Sequence, residues 1–310
     1  MHDRLGLGVG LDLPWGAAIG FGFERERGDR VTPGVIEFLS RHEQLFNYWF
    51  ISWQPRGRNR LSAAEYAPAW DDLFERAPAF PVRGLHQTSF NLGALEHYDR
   101  SEVIAFTNEL IARYDFKWVN EDLGLWSIHG RSLPYPLPPY LTDEGLSAAI
   151  RNCTEVQEAL DAPLLVEFPG FSAGTSIVIG SLHGYDFFRE VVEQSGSPAT
   201  LDIGHLLSYQ WLRGLRGEDL YSDLDKLPTS SCFEIHLSGC ETSGEQFLDY
   251  HHGILMDEQL VLLERLLPLC PNLKAITYED PKFDPTGTLV PDSLKGFTAL
   301  SEAASGWVQA

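Results

Sequence analysis

Histidines and carboxylates recur at the ends of short apolar runs along this chain. An ionised carboxylate is costly to bury unless a cation or a donor compensates it, so the repetition indicates a shared positive charge. Mixed imidazole and carboxylate ligands suit iron, zinc or manganese, and bridging carboxylates can hold two or three ions close together. The pattern therefore predicts a polynuclear catalytic metal site. Its candidate residues are His86, Glu121, Asp122, Glu167, Asp202, His205, His236 and Glu279, with Asp249 and His251 after the seventh run.

Two pairs in this set have a spacing that suits metal ligands. Asp202 stands three residues before His205, and Asp249 stands two residues before His251. A single acid at a strand end can instead cap a helix or form a salt bridge, and a single histidine is often a hydrogen-bonded core residue. The two pairs therefore support the metal interpretation more strongly than any one residue does.

The apolar runs alternate with longer amphipathic stretches, as strands followed by helices do. Eight strands separated by helices favour a closed (β/α)8 TIM barrel of the α/β class, with residues 1–310 in one domain. Such a barrel builds its active site at the carboxyl ends of its strands, where the acids and histidines stand. The predicted strands are 5–11, 47–53, 82–86, 116–121, 163–168, 198–203, 232–237 and 274–279, and predicted helices include 33–41, 100–114 and 142–160.

Residues 133–140 contain four prolines, which fix the backbone and remove amide donors. This composition predicts a rigid loop above a strand end. A division into two domains near this segment is the alternative, but it would leave each half with four strands that cannot close.

Composition narrows the classes of partner. The chain has 310 residues, 44% of them hydrophobic, and 44 acidic against 23 basic side chains give a formal net charge of −21. This charge repels phosphate backbones and anionic lipid, so we expect that neither nucleic acid nor a membrane is a partner. The four cysteines form no CxxC pair, which favours free thiols in a reducing compartment, and the cytoplasm is the expected location.

Several longer segments resemble the multinuclear non-heme iron-dependent oxidative enzymes, the family of the methanobactin-biosynthesis oxidase. The segments that carry the resemblance are residues 84–86, 133–146, 156–160, 165–169, 201–205, 234–239 and 249–251, together with Glu279. The resemblance implies a xylose-isomerase-like barrel with two or three iron ions. It also implies that dioxygen is used to modify a residue, most often cysteine, in a ribosomally made precursor peptide, and that a small partner protein recognises the leader of that peptide.

Carried over residue by residue, the resemblance implies a set of metal ligands. They are His86, Glu121, Glu167, Asp202, His205, His236, Asp249, His251 and Glu279. Asp122 stands where the family usually has a histidine, and it is the candidate catalytic residue.

Other positions depart from the family pattern. Residues 50–55 lack the histidine usual at the end of the second strand, Phe168 replaces an asparagine, and Cys240 replaces a histidine. Cys240 fits a small buried thiol better than a ligand. His129 follows the fourth strand closely enough to reach the site, and its role stays open.

Two rival functions fit the same residues. The order of acids and histidines also resembles metal-dependent sugar isomerases or epimerases and hydrolases of this barrel type, including trinuclear zinc apurinic endonucleases, although the charge speaks against DNA. A barrel that binds a peptide or protein without chemistry is the non-enzymatic alternative.

Overall fold

The eight predicted strands all form, and together they close into a parallel barrel. The computed structural model describes residues 4–12, 34–52, 63–97, 99–171, 177–251 and 253–309. In their order around the barrel the strands are β1 (Gly6–Asp12), β12 (Ala275–Glu279), β9 (Cys232–Leu237), β8 (Ala199–Asp202), β7 (Leu164–Glu167), β4 (Trp118–Asp122), β3 (Arg83–His86) and β2 (Trp49–Ser52). The ring closes because β1 pairs with both β2 and β12.

Helices lie between the strands, as the (β/α)8 prediction requires. They are α1 (Val35–His42), α2 (Ala63–Arg76), α3 (Ser101–Tyr114), α4 (Asp143–Ala159), α5 (Gly184–Ser195), α6 (Ile203–Leu212), α7 (Asp257–Leu266) and α8 (Pro291–Gln309). Helix α4 begins where predicted, because the Thr142 side chain caps it by accepting the N–H of Gly145 at 3.1 Å. Helix α1 follows Gly34, and the predicted start at residues 32 and 33 lies outside the described residues. Within the described ranges, every helix is too short or too polar to cross a bilayer.

Large aromatic side chains fill the barrel interior beneath the strand ends. Tyr48, Phe50 and Trp118 are buried there in one cluster, separate from the larger core between strands and helices. Glycines on neighbouring strands make room for them. A Cβ on Gly8 would lie 2.2 Å from the Tyr48 ring, and one on Gly84 would lie 2.6 Å from Phe50. The aromatic layer therefore forms a packed floor for the site above it.

Two antiparallel hairpins extend from the carboxyl ends of the barrel. One consists of β5 (Leu125–Ile128) and β6 (Arg131–Leu137), and the other of β10 (Cys240–Ser243) and β11 (Gln246–Asp249). The first corrects the prediction of a loop over 133–140, because residues up to 137 belong to β6. The paired positions in β6 are 131, 132 and 137, so Pro134 and Pro136 fall where the pairing is irregular and no bond requires their missing N–H.

Candidate metal centre

Strand alternation brings one residue from each of six strands to the upper layer of the barrel interior. Successive side chains of a strand point to opposite faces, so residues two apart share a face. Trp118 and Leu165 belong to the interior cluster, which places the residues two and four positions later inside as well. The six side chains that end these inward rows are at most 8% exposed. They are His86, Asp122, Glu167, Asp202, His236 and Glu279.

Three further residues, His205, Asp249 and His251, cover this layer from segments that follow the barrel strands. Asp202 is the N-cap of α6, and its Oδ1 accepts the backbone N–H of His205 at 2.7 Å. The cap fixes the first turn of α6 and so explains the three-residue spacing of this pair. Asp249 ends β11 opposite Cys240. His251 follows with a left-handed backbone, φ 48°, which is uncommon for a residue other than glycine.

The side chains form three overlapping groups in which the candidate ligand atoms all lie within 4.8 Å of one another. The groups are His205 with Asp249 and His251, Asp122 with Glu167 and His205, and Glu167 with Asp202 and His236. Glu167 is common to two groups, as a bridging carboxylate would be. The overlap gives the arrangement of a site for more than one ion.

The imidazole of His205 has one nitrogen committed to a hydrogen bond. Its Nδ1 lies 2.7 Å from the carbonyl oxygen of Phe168, and since a carbonyl only accepts, Nδ1 carries a hydrogen. The other nitrogen, Nε2, lies 3.1 Å from Asp249 Oδ2, and against the effect of burial the carboxylates of Asp202 and Asp249 raise the pKa of His205 well above its ordinary value. Nε2 is therefore the nitrogen that a metal bound by Asp249 and His251 would take in place of a proton.

Asp249 and His251, the other two members of that group, are also oriented by contacts with neighbouring side chains. Asp249 Oδ1 accepts hydrogen bonds from Ser238 Oγ at 3.0 Å and from the Cys240 thiol at 3.5 Å. His251 Nδ1 lies 3.4 Å from Asp280 Oδ2, while its Nε2 lies 3.7 Å from Asp249 Oδ2. Supporting contacts of this kind orient metal ligands in proteins.

Buried polar atoms without hydrogen bonds provide a direct test of whether the residues fit a metal. In the described part of the chain they include two atoms of the group formed by Glu167, Asp202 and His236, namely His236 Nδ1 and Asp202 Oδ2. His236 Nδ1 lies 3.3 Å from Glu167 and from Glu279, but without the alignment of a hydrogen bond. Buried polar groups are normally satisfied, so these atoms fit a site completed by a cation.

The acids and histidines perturb each other's protonation. Burial alone would lower the pKa of His86, but the hydrogen bond and charge of Glu167 outweigh it and raise the pKa to about 9. Burial raises the pKa of Asp202 to about 6 and that of Glu279 to about 7. Without a cation, His86 and a part of the Glu279 population therefore hold protons near pH 7, which a bound metal would displace.

Glu121 belongs to none of the three groups, and its carboxylate is bound by backbone amides. Its two carboxylate oxygens accept the backbone N–H groups of residues 89–91 at 2.6–2.9 Å. The next residue, Asp122, faces the interior, with its carboxylate 3.5 Å from both His86 Nε2 and His205 Nδ1. Glu279 is in none of the three groups but lies beside His236 and 3.8 Å from His251 Nδ1.

The remaining sequence candidates lie outside the centre. The side chain of His129 is 85% exposed, and its Nδ1 lies 3.7 Å from Glu96. Cys240 is buried, as expected, and its thiol donates a hydrogen bond to Asp249 Oδ1. Phe168 contributes its carbonyl, not its ring, to His205. Of residues 50–55, the structure describes 50–52, and the rest lie outside the described residues.

Sequence reasoning missed residues that hold the ligands in place. They include Asn120, which donates to Glu167, Glu234 beside His236, and Asp280 beside His251. A signal existed for the first two, since each stands two residues from a candidate on the same strand face. Asp280 directly follows Glu279 and has a left-handed backbone, φ 47°, which no local pattern indicates.

Comparisons with known proteins identify a family and relatives of this chain. A family model described as RiPP precursor modification enzyme MbnB/TglH/ChrH matches residues 67–295. A UPF0276 protein of Anaeromyxobacter sp. is 27% identical over 222 residues, which cover 71% of this chain and 75% of that protein. A UPF0276 protein of Paraburkholderia phytofirmans is 29% identical over 180 residues, covering 58% of this chain and 55% of that protein.

The fold has a counterpart among solved structures. Mannonate dehydratase from Streptococcus suis serotype 2 superimposes with a TM-score of 0.52 and 10% identity, covering 89% of this chain and 90% of that chain. At this identity the likeness concerns the fold alone. It agrees with the predicted (β/α)8 TIM barrel, which is confirmed.

Proposed function

The chain belongs to the family of RiPP precursor modification enzymes described as MbnB/TglH/ChrH, and from this membership we propose that it is a multinuclear iron oxidase. In this proposal the enzyme uses dioxygen to modify a residue, most often cysteine, of a ribosomally made precursor peptide. The observation that carries the proposal is the position of Glu167 in two neighbouring three-residue groups. A carboxylate shared in this way is suited to bridging two ions.

Each ion of the proposed centre has a distinct donor set. His205, Asp249 and His251 would hold one ion, and Glu167 with Asp202 and His236 would hold a second. Asp122 with Glu167 would complete a third position, close to His86 Nε2. Bound iron would supply an open coordination position for dioxygen and a soft site for a substrate thiolate. We assign Asp122 as the ligand from β4 and Glu121 as the residue that holds the 89–91 loop.

The protein side chains prepare this chemistry in three ways. Burial excludes water from the carboxylates, which strengthens every electrostatic interaction among them. The carbonyl of Phe168 holds Nδ1 of His205 and so orients the ring with Nε2 toward Asp249. Asp122 retains its candidate catalytic role in addition to ligation, because its carboxylate faces both His86 and His205 and can accept a proton from a substrate bound there.

The proposed partners follow from the family. They are the precursor peptide and a small protein that recognises its leader. The formal charge of −21 still predicts that nucleic acid is not a partner. The centre draws on strands that are far apart in the chain, since β3 supplies His86 and β12 supplies Glu279, and we propose that residues 1–310 act as one domain.

The test is anaerobic purification followed by metal analysis and an oxygen-uptake assay. The substrate to test is a short cysteine-bearing peptide encoded next to the gene for this chain, and mass spectrometry measures the change in mass of that peptide. Iron content with oxygen uptake that depends on the peptide is the expected result. Zinc or manganese with no oxygen dependence would contradict the proposal and favour the sugar isomerase or hydrolase.

A variant separates chemistry from binding in the same assay. Asp249→Asn should lose metal and peptide modification together, because Asp249 belongs to the group with two histidines. If this variant keeps its metal, and the wild-type protein binds the peptide without changing it, the non-enzymatic barrel is the better description.

A further inference from the structure

Glu234 is a fully buried carboxylate directly beneath the candidate metal centre. It stands two residues before His236 on β9, so the two side chains lie on the same inward face. Its Oε1 lies 3.3 Å from His236 Nε2. An ionised carboxylate in this position is costly unless its neighbours are donors, so those neighbours identify its role.

The neighbours of Glu234 leave its oxygens as acceptors. Trp118 Nε1 donates to Oε2 at 2.8 Å, and an indole nitrogen can only donate. The hydroxyl of Thr277 donates to Oε1, and Tyr48 Oη lies 3.3 Å from the same oxygen. Tyr48 and Thr277 are also hydrogen-bonded to each other at 2.6 Å. Three side chains, from β4, from β12 and from the residue before β2, thus converge on this carboxylate.

The opposite nitrogen of His236 faces the centre. Its Nδ1 lies 3.3 Å from Glu167 Oε2 and 3.3 Å from Glu279 Oε1. An ion bound beside Glu167 and Asp202 would take the lone pair of Nδ1 and leave the ring hydrogen on Nε2, beside the Glu234 carboxylate. In metal sites a carboxylate behind a histidine sets the tautomer and ring orientation in this way.

We propose that Glu234 is a positioning residue for the metal centre, which holds the imidazole of His236 with Nδ1 directed at the ion shared with Glu167 and Asp202. The inference rests on the metal centre of the proposed function. The aromatic floor adds to it, because Trp118 and Tyr48 fix the carboxylate, and Phe50 packs edge-on against His236 with ring centroids 4.9 Å apart.

The experiment compares Glu234→Gln with Trp118→Phe in the full chain. Glutamine keeps the shape but has one acceptor oxygen, so it cannot accept from both Trp118 and His236. Trp118→Phe removes a hydrogen bond to the same carboxylate but leaves the Glu234 and His236 pair intact. Zinc is the probe, because it is diamagnetic and allows affinity to be measured by chelator competition. Thermal unfolding of the metal-free proteins reports the loss of packing.

The two variants should separate positioning from packing. Glu234→Gln should weaken zinc binding about 10–100-fold, the usual loss when such a supporting carboxylate is changed. Trp118→Phe should lower the melting temperature without a comparable change in zinc affinity. Nitrogen NMR of the zinc-loaded wild type should show a protonated Nε2 and a metal-bound Nδ1 for His236, and Glu234→Asp should restore part of the affinity.

Other outcomes would overturn the proposal. Equal zinc affinity in Glu234→Gln and wild type, or binding of His236 through Nε2, would show that Glu234 does not orient the ring. An equal loss of affinity in Trp118→Phe would reduce the effect to packing. If His236→Ala binds zinc as tightly as wild type, the metal centre itself is wrong, which distinguishes failure of the proposed function from failure of this inference.

Discussion

Glu121 and Asp122 are adjacent in the chain, yet their carboxylates lie on opposite faces of β4. The Glu121 carboxylate accepts the amides of residues 89–91, and the Asp122 carboxylate lies 3.5 Å from His86 Nε2. The strand period of two residues produces this separation. If a ligand assignment on a strand is shifted by one residue, it therefore replaces a side chain inside the barrel with one on the outer face of the sheet.

Substitution of the two acids should produce opposite phenotypes. Asp122→Asn should lower the amount of metal bound with little loss of stability, because it removes charge from the centre. Glu121→Gln should leave metal content unchanged but destabilise the protein by about 1–3 kcal/mol, because an amide group would face backbone donors. Metal analysis and urea unfolding of both variants measure the difference. Loss of metal in Glu121→Gln alone would reverse our assignment.

His251→Ala should remove the ion held by His205 and Asp249. Its side chain is 41% exposed and supplies one of three donors, so its loss leaves an incomplete set. His129→Ala is the matched control, since His129 is also a histidine with a left-handed backbone but lies outside the centre. Metal content per chain, measured after reconstitution, should fall only for His251→Ala. A similar fall in both variants would indicate a nonspecific effect.

The metal-free protein should lose stability as the pH rises. His86 has a pKa of about 9 in the folded protein against an ordinary 6.5, and Glu279 has about 7 against 4.5. Both folded pKa values are raised, so the folded state binds more protons and its stability decreases with pH. For Glu279 this loss falls between pH 4.5 and 7, and for His86 between pH 6.5 and 9.

Melting temperatures across pH 6.5 to 9, with a chelator or with zinc, measure the effect of His86. The metal-loaded protein should show a flatter profile, because the ion replaces the protons. His86→Gln should flatten the metal-free profile over the same range. An unchanged slope in that variant would assign the effect to other groups.

Gly8→Ala should destabilise the barrel. The new methyl group would lie 2.2 Å from the Tyr48 ring, which is enclosed by the aromatic floor and cannot move aside. Overpacking of a buried site typically costs about 1–3 kcal/mol. Gly306→Ala, on α8, is the control: nothing lies within 4 Å of its added Cβ, and replacement of a helical glycine should stabilise by about 0.5–1 kcal/mol. Urea unfolding compares both with wild type, and equal stability of Gly8→Ala would contradict the packing.

The sequence by itself determined the barrel and the level of the site within it. Apolar period and strand length are local properties, and they fixed eight strands whose last inward residues include His86, Glu167 and Asp202. The same two-residue period places Asp122 and Glu121 on opposite faces of β4. A ligand assignment made only from the order of motif residues does not use that period. The prediction over 133–140 was wrong because prolines can occupy unpaired positions of a strand, which composition does not reveal.

Only the tertiary structure decided how these side chains work together. Ring closure brings Trp118 to Glu234, 116 positions away, and the β10–β11 hairpin carries Asp249 to His205. The orientation of the His205 ring depends on one carbonyl oxygen, that of Phe168, at the end of the neighbouring strand. Local periodicity reports which face of an element is buried, whereas the partner that a buried polar atom meets depends on the closure and stagger of the whole barrel.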